Sequence, residues 1–280
     1  MPEHSCPRRR RSVASTALIV VGVLLLVVAA GIFGFSQWQY AQQDRINEEL
    51  SRFATVSDAP ATDGDSDEAG AQQGPPKVDW EGLKAVNPDV VGWVQIPGTV
   101  VNFPVYQGDS NEEYLRTSAT GEYAIGGQIF MDYENTAPGL IDAQTLIYGH
   151  HLNNGQMFAL VDQMADQGVF DSVKTIWYVT ETATYELEPL FFYRTPATNG
   201  DARRIDFQGA DDLHAYLEGL LSQASTKSPE AASATRRVSR VLTLATCDYD
   251  NDFGQGNGRG LVVCALKSEV GTDTQTEGSA

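Results

Sequence analysis

The hydrophobic and polar positions of the chain divide it into regions of different character. Residues 12–43 carry no charge, and the part from 17 to 35 contains only Leu, Ile, Val, Ala, Gly and Phe. A helix of about 20 apolar residues is long enough to cross a bilayer, and Trp38 and Tyr40 suit the outer interface. The pattern therefore predicts a transmembrane signal-anchor over residues 16–38.

Arginines at positions 8–11 precede the apolar run. Positive residues beside a membrane helix stay in the cytoplasm, so residues 1–15 are expected inside the cell and the rest outside. A cleaved signal peptide is the alternative, but no small-x-small site directly follows the run. The expected localisation is the cell membrane, with a single crossing.

A polar region separates the anchor from the first packed segment. Residues 42–55 are polar and helix-prone, and residues 56–76 are rich in Asp, Ala, Gly and Gln. Such a stretch has too little apolar content to fold, so residues 39–76 are predicted to be a stalk and a flexible acidic linker. A packed domain is predicted over 77–268, which is ample for one core, and a disordered tail over 269–280.

Short apolar runs bounded by turn residues dominate the packed domain and predict strands. The predicted strands cover residues 94–96, 103–106, 128–131, 145–148, 175–179, 184–193, 240–246 and 261–266. The predicted helices cover 80–86, 156–164 and 211–223, and a turn leads into Trp93. One apolar face of the last helix is formed by Leu213, Tyr216, Leu217, Leu220 and Leu221. Many short strands with few helices indicate an antiparallel barrel or sandwich.

The net charge and the cysteine and histidine positions argue against several kinds of partner and site. The net charge is −18, which argues against nucleic-acid binding and against docking to anionic lipid. Cys264 lies inside an apolar strand, where a free Cys behaves as a small hydrophobe, so a disulfide with Cys247 is not expected. No Cys and His spacing indicates zinc, and no cofactor is expected. His214 lies off the apolar face of its helix and is expected at the solvated surface.

The candidate catalytic residues are Cys247, His150 and Arg259. Cys247 ends an apolar strand and precedes a polar loop. His150 follows a strand and Gly149, and Arg259 lies just before the last strand. A thiol can attack a carbonyl, an imidazole can move protons, and a fixed guanidinium can stabilise an oxyanion. The three residue types together predict acyl transfer through a thioester.

The residues alone leave neighbouring alternatives open. His151 competes with His150, because neighbours at a strand end face opposite sides and spacing does not choose between them. Asp248 and Asp250 could orient the imidazole, although Asp in a loop more often serves the turn. Thr246 could donate a hydrogen bond to substrate or satisfy the strand end.

Ordered segments of the packed domain resemble the sortase family, and specifically class B sortases. They are Asn-Pro-Asp-Val-Val-Gly-Trp-Val-Gln-Ile-Pro-Gly-Thr at 87–99, Phe-Pro-Val-Tyr-Gln at 103–107 with Asn111 and Tyr114-Leu115, Gly-Gln-Ile-Phe-Met-Asp-Tyr at 127–133 with Asn135, Tyr-Gly-His at 148–150 with Asn154-Gly155 and Met157-Phe158, and Thr-Leu-Ala-Thr-Cys at 243–247. The helical lead-in from Trp80 and the helix at 211–223 resemble features of class B.

The resemblance implies a mainly β fold and a set of residue roles. The fold is an eight-stranded sortase β-barrel with N-terminal helices and a helix between strands 6 and 7, preceded by the transmembrane helix. Cys247 is implied as nucleophile, His150 rather than His151 as general acid and base, and Arg259 as stabiliser of the oxyanion or substrate. The candidate substrate-binding residues are Thr246, Asn111 and Tyr148.

The resemblance also implies a reaction and partners. Such enzymes attack a Thr carbonyl in the C-terminal sorting signal of a secreted surface protein or pilin and form an acyl-thioester. An amine of a peptidoglycan precursor then resolves it, which anchors the protein to a Gram-positive cell wall. The alternatives are a pilin-polymerising sortase with a pilin Lys as acceptor, a cysteine protease with water as acceptor, and a non-catalytic surface module.

Two positions depart from the family pattern. The family's Arg runs directly into the apolar strand, whereas Gly260 here separates Arg259 from Leu261. An extra residue reverses the side that a strand residue faces, unless Gly260 forms a bulge. His151 stands where class B enzymes often carry Asn.

Overall fold

A computed structural model describes residues 13–55, 74–248 and 257–271. The chain divides into two compact units, Met1–Gln42 and Gln43–Ala280. Helix α1 (Val13–Ser51) begins in the first unit and ends in the second. By length and composition α1 could cross a membrane, and apolar side chains such as Leu18 and Leu26 are largely exposed.

The second unit contains a β-barrel with short helices. The strands are β1 (Ala54–Thr55), β2 (Lys77–Val78), β3 (Val90–Gln95), β4 (Asn102–Tyr106), β5 (Ile129–Met131), β6 (Gln144–Tyr148), β7 (Ile176–Val179), β8 (Thr184–Pro196), β9 (Thr226–Lys227), β10 (Val241–Asp248) and β11 (Gly258–Leu266). The helices after α1 are α2 (Trp80–Val86), α3 (Ala159–Gln163), α4 (Gln167–Ser172), α5 (Ala210–Leu221), α6 (Ala231–Ala234) and α7 (Lys267–Val270), with a 3-10 turn at Gly200–Arg203.

Eight strands close the barrel in the order β11-β10-β6-β5-β4-β3-β7-β8, and β8 pairs back onto β11. The β10–β6 and β4–β5 pairs are parallel, and the other pairs of the ring are antiparallel. Strand β9 adds to one side of β8. The predicted closed barrel of eight strands is therefore confirmed.

Each predicted barrel strand is present, but some boundaries differ. The residues read as a turn into Trp93 belong to β3, which starts at Val90. The β3–β4 ladder shifts register between Val90 and Gly92, and a Cβ at Gly92 would lie 2.5 Å from the Tyr178 hydroxyl. This irregular start obscured the strand in the sequence, because a tightly packed glycine reads as a turn residue.

The helix predicted at 156–164 is shorter in the structure. Met157 has a φ of 58°, which no α-helix accommodates, and α3 begins only at Ala159. Helix α4 was not predicted. Its signal is Asp166, whose side chain accepts from the Gly168 and Val169 N–H groups as an N-cap.

Helix α5 follows the sixth barrel strand and precedes the seventh, as predicted. Its buried residues Leu213, Leu217 and Leu220 join a cluster with Phe191 of β8 and Val263 of β11. The helix therefore packs against β8 and β11.

The last turns of α1 belong to the barrel unit. Gln43, Asn47 and Leu50 are buried there, and Gln43 accepts from Gly126 N at 2.9 Å. Strand β1 then pairs with β2. Residues 43–55, which are polar in sequence, thus add a helix end and a strand to the barrel unit, while 56–73 of the predicted acidic linker lie outside the described residues.

Candidate active site

Strands β10 and β11, which carry Cys247 and Arg259, and strand β6, which leads into His150, meet at one edge of the barrel. Strand β10 runs parallel to β6, with Ala245 opposite Tyr148. It runs antiparallel to β11, with Cys247 opposite Arg259. Because β6 continues into His150, the register brings the backbone positions of all three residues to the same edge.

The turn before His150 is locked to β10. Gly149 N donates to Ala245 O at 3.1 Å, and the Thr246 hydroxyl donates to Gly149 O at 2.8 Å. A Cβ at Gly149 would lie 2.5 Å from Ile129 and 2.6 Å from Phe158. Such contacts are not tolerated without a shift, so this close approach requires glycine.

His150 is buried, with 7% of its surface exposed. Its Nε2 lies 2.6 Å from the Leu115 carbonyl oxygen. A carbonyl only accepts hydrogen bonds, so this contact assigns a proton to Nε2 and leaves Nδ1 to accept one. Burial lowers the pKa of His150, the Leu115 hydrogen bond opposes this effect, and the charges of Arg116 and Arg259 lower the pKa further. The net effect favours the neutral imidazole over the charged one.

The neighbouring histidine faces other partners. His151 Nδ1 lies 3.4 Å from Asp162 Oδ2, and Asp162 is itself buried on α3. The two adjacent histidines thus have separate surroundings, as expected at a strand end. His214, expected at the solvated surface, is partly exposed, and its Nε2 lies 3.1 Å from Val238 O.

Arg259 is placed opposite Cys247 by the β10–β11 ladder, and not by the spacing of the family pattern. The β10–β11 ladder runs without a shift from Val241↔Ala265 to Asp248↔Gly258. The described irregularity of β11 lies farther along, between Val263 and Cys264 in its pairing with β8. The Arg259 guanidinium is part-buried and donates to Gly258 O at 2.8 Å. Gly260 therefore extends β11 toward the site and forms no bulge in this ladder.

The candidate substrate-binding side chains have partners within the protein. Asn111 Nδ2 donates to Asp132 at 3.0 Å, and the Tyr148 hydroxyl donates to Asp132 at 2.7 Å. Thr246 bonds Gly149, as described above. Their roles toward substrate remain predictions. Asp248 pairs with Gly258 through β10, and Asp250 lies outside the described residues.

Sequence reasoning missed the cluster around Asp132. The Arg203 guanidinium donates to both of its oxygens, at 2.8 and 3.0 Å, and Glu134 N donates at 3.1 Å. Burial alone would raise the pKa of Asp132, but the hydrogen bonds from Arg203 and Tyr148 outweigh it and hold the pKa below its usual value. The sequence signal is weak, because Arg203 is 71 residues away along the chain.

Cys264 differs from Cys247 in its place in the barrel. It is fully buried in β11, and burial raises its thiol pKa well above the usual value. Such a thiol is unreactive. Among the described side chains, no group of three or more His, Cys, Asp or Glu is placed to hold a metal ion.

A sortase-domain family model matches residues 94–267 of this chain. The chain belongs to the sortase family. Sortase B of Listeria monocytogenes is 29% identical over 236 residues, which span 84% of this chain and 93% of the relative. Sortase B of Staphylococcus aureus is 31% identical over 172 residues, spanning 60% and 67% of the two chains.

Solved sortase B structures match the barrel. The Clostridium perfringens sortase B superposes with a TM-score of 0.59 at 30% identity, covering 66% of this chain and 97% of that one. The Staphylococcus aureus sortase B superposes with a TM-score of 0.58 at 28% identity, covering 66% and 85%. These findings confirm the class B resemblance, and the sortase family is known for cysteine transpeptidases.

Proposed function

We propose that this sortase is a membrane-anchored transpeptidase that attaches secreted surface proteins to the cell wall. Cys247 is the nucleophile, His150 the general acid and base, and Arg259 the oxyanion stabiliser. The observation that carries the proposal is the register of β10, which has Arg259 opposite Cys247 on one side and leads toward His150 on the other.

The proposed first half-reaction transfers an acyl group to the thiol. His150 Nδ1 takes the Cys247 proton, and the thiolate attacks the Thr carbonyl carbon of the sorting signal. Arg259 stabilises the oxyanion that forms on the carbonyl oxygen. His150 then returns the proton to the leaving amine as the peptide C–N bond breaks, which leaves a thioester on Cys247.

The proposed second half-reaction uses an amine. The amine nitrogen attacks the thioester carbon and gives its proton to His150, and the thiolate leaves as the new amide forms. A lowered pKa supports this role for His150, because a neutral imidazole is the form that accepts a proton. A solved sortase B complexed with triglycine supports a peptide amine as a test acceptor.

The proposed location is the outer face of the cell membrane. An apolar stretch of α1 long enough to cross a bilayer supports an anchor, and the arginines before it favour a cytoplasmic N-terminus. Relatives in Listeria and Staphylococcus support a Gram-positive cell surface. The expected substrates are surface proteins with an Asn-Pro-x-Thr-type signal, the tendency of class B.

Product analysis tests the reaction and separates it from the alternatives. The full chain in detergent micelles is incubated with Asn-Pro-x-Thr and Leu-Pro-x-Thr peptides, with and without triglycine. We expect a triglycine-linked product with the wild type and none with Cys247→Ala. Hydrolysis unchanged by triglycine would instead indicate a cysteine protease. A product formed only with a Lys-containing pilin peptide would favour pilin polymerisation.

A further inference from the structure

The two positions that depart from the family pattern, His151 and Gly260, both lie beside Asp162. His151 Nδ1 lies 3.4 Å from its Oδ2. A Cβ at Gly260 would lie 3.0 Å from its Oδ1, so β11 approaches this carboxylate as closely as a glycine allows. Asp162 is 3% exposed, which makes it a buried charge in contact with both unusual positions.

Arg194 of β8 compensates the buried carboxylate. Its Nη2 lies 3.2 Å from Asp162 Oδ1, and its guanidinium lies 5.2 Å from the centre of the Phe192 ring. In the β8–β11 ladder Arg194 stands directly opposite Gly260. A buried carboxylate needs such a partner, and this one fixes Asp162 against β8 and β11.

Asp162 and the Arg259 side chain lie on opposite faces of β11. Successive residues of a strand face opposite sides, so Gly260 meets Asp162 on the side of β11 that Arg259 does not face. In the same way His151 turns toward Asp162 while His150 contacts Leu115 O. The carboxylate therefore lies against the immediate neighbours of two residues assigned to the chemistry.

We propose that Asp162 is a positioning residue that fixes His150 relative to Arg259, acting through His151 and Gly260. The inference rests on the proposed function and adds to it a residue that touches no reacting atom. Among the described residues, Asp162 from α3 lies beside His151 and Gly260, and Arg194 from β8 pairs with Asp162. Loss of the carboxylate removes the contact that holds the His151 ring toward α3 and so alters the orientation of the adjoining His150 ring, while the hydrogen bonds of Gly149 to β10 remain.

The expected signature is a loss of turnover with unchanged peptide binding. Misplacement of a reacting group by about 1 Å can slow a reaction by about 100-fold. We expect Asp162→Asn to lower kcat by roughly 10- to 100-fold and to leave KM for the peptide nearly unchanged. Rates are expressed per alkylatable Cys247 in the full chain, so that misfolded molecules do not count.

A double-mutant cycle tests the route through His151. His151→Ala removes the contact and keeps the Asp162–Arg194 pair. If Asp162 acts through His151, the Asp162→Asn/His151→Ala double variant loses no more than the larger single loss, whereas independent effects add. Asp171→Asn, which removes an exposed carboxylate of α4 bonded to Gln167, is the matched control and should be as active as the wild type.

Each outcome bears on one claim. A wild type inactive on every peptide overturns the proposed function itself. With an active wild type, an unchanged kcat in Asp162→Asn, a KM rise that accounts for the loss, or additive losses overturn the positioning role alone. If Asp162→Asn does not fold, His151→Ala decides: reduced kcat at constant KM supports the role, and unchanged kcat overturns it.

Discussion

Two buried carboxylates, Asp132 and Asp162, occupy different settings in the same barrel. Asp132 accepts short hydrogen bonds from Arg203, Tyr148 and Asn111, at 2.7 to 3.0 Å. The contacts of Asp162 with Arg194 and His151 are longer, at 3.2 and 3.4 Å. Both lie deep in the protein, so burial does not distinguish them.

What distinguishes the two carboxylates is the elements that they join. Asp132 ties the turn that carries Arg203 to β6 through Tyr148. Asp162 joins α3 to the neighbours of His150 and Arg259. The first arrangement predicts a contribution to stability, and the second predicts a contribution to turnover. The comparison therefore predicts that the Asp132–Arg203 pair stabilises the fold and that the Asp162–Arg194 pair supports the reaction, although both carboxylates are buried.

The largest expected effect tests whether Arg259, whose neighbour Gly260 faces Asp162, takes part in the reaction. Arg259→Ala should lower kcat by roughly 10²- to 10³-fold, the scale of losing one oxyanion donor. Arg236→Ala, which removes an arginine with an exposed side chain paired to Glu218, is the control and should be nearly neutral. Steady-state transfer kinetics measure both. If the Arg259→Ala enzyme is nearly as active as the wild type, Arg259 is not the oxyanion stabiliser.

The next effect concerns stability at the Asp132 cluster. Arg203→Gln should destabilise the fold by about 2–3 kcal/mol, below the usual cost of breaking a fully buried pair, because the Arg203 side chain is 41% exposed and water screens the pair. Urea unfolding measures the change, and Arg236→Gln should stay within about 0.5 kcal/mol. A stable Arg203→Gln enzyme with reduced kcat would reverse the two assignments.

A smaller effect is expected at the glycine that faces Asp162. Gly260→Ala should destabilise by about 1–2 kcal/mol, because the added methyl meets Asp162 and Phe192 at 3.0 Å. Gly219→Ala is the matched control: its Cβ meets nothing within 4 Å, and a helical Gly-to-Ala change should stabilise by about 0.5–1 kcal/mol. Equal behaviour of the two variants in thermal unfolding would contradict the tight packing at Gly260.

The smallest expected effect is a lowered pKa of His150. Burial favours neutral His150, so its folded pKa should lie below the ordinary 6.5. A lowered folded pKa means that the unfolded chain binds the proton better, and stability should therefore fall as pH drops below about 6.5. NMR titration of Cys247→Ala measures the imidazole without the neighbouring thiol. A midpoint above 6.5 would contradict the buried environment described for His150.

The strands were predictable because their side chains report burial directly. Apolar runs marked every barrel strand, and the spacing of Leu213, Leu217 and Leu220 marked the buried face of α5. The beginning of β3 was missed, because Gly92 packs under Tyr178 and resembles a turn residue in sequence. Closure of the ring depends on which strands pair, and local pattern does not encode that.

The types of the candidate catalytic residues were predictable from the sequence, but the residues that pack around them were not. Strand ends and family-like segments pointed to Cys247, His150 and Arg259, and their assignment as catalytic residues remains a prediction. Asp162 and Arg194 gave no signal, because they come together only when α3 packs against β10 and β11. The sequence raised the question of a bulge at Gly260, and only the ladder register could answer it.

Intact mass spectrometry of the full chain with sorting-signal peptides tests the central claim most directly. An acyl adduct should form on the wild type and on Cys264→Ala, whose altered position is buried in β11, and should be absent from Cys247→Ala. The same adduct on Cys247→Ala, or its loss in Cys264→Ala with the fold intact, would contradict Cys247 as the nucleophile.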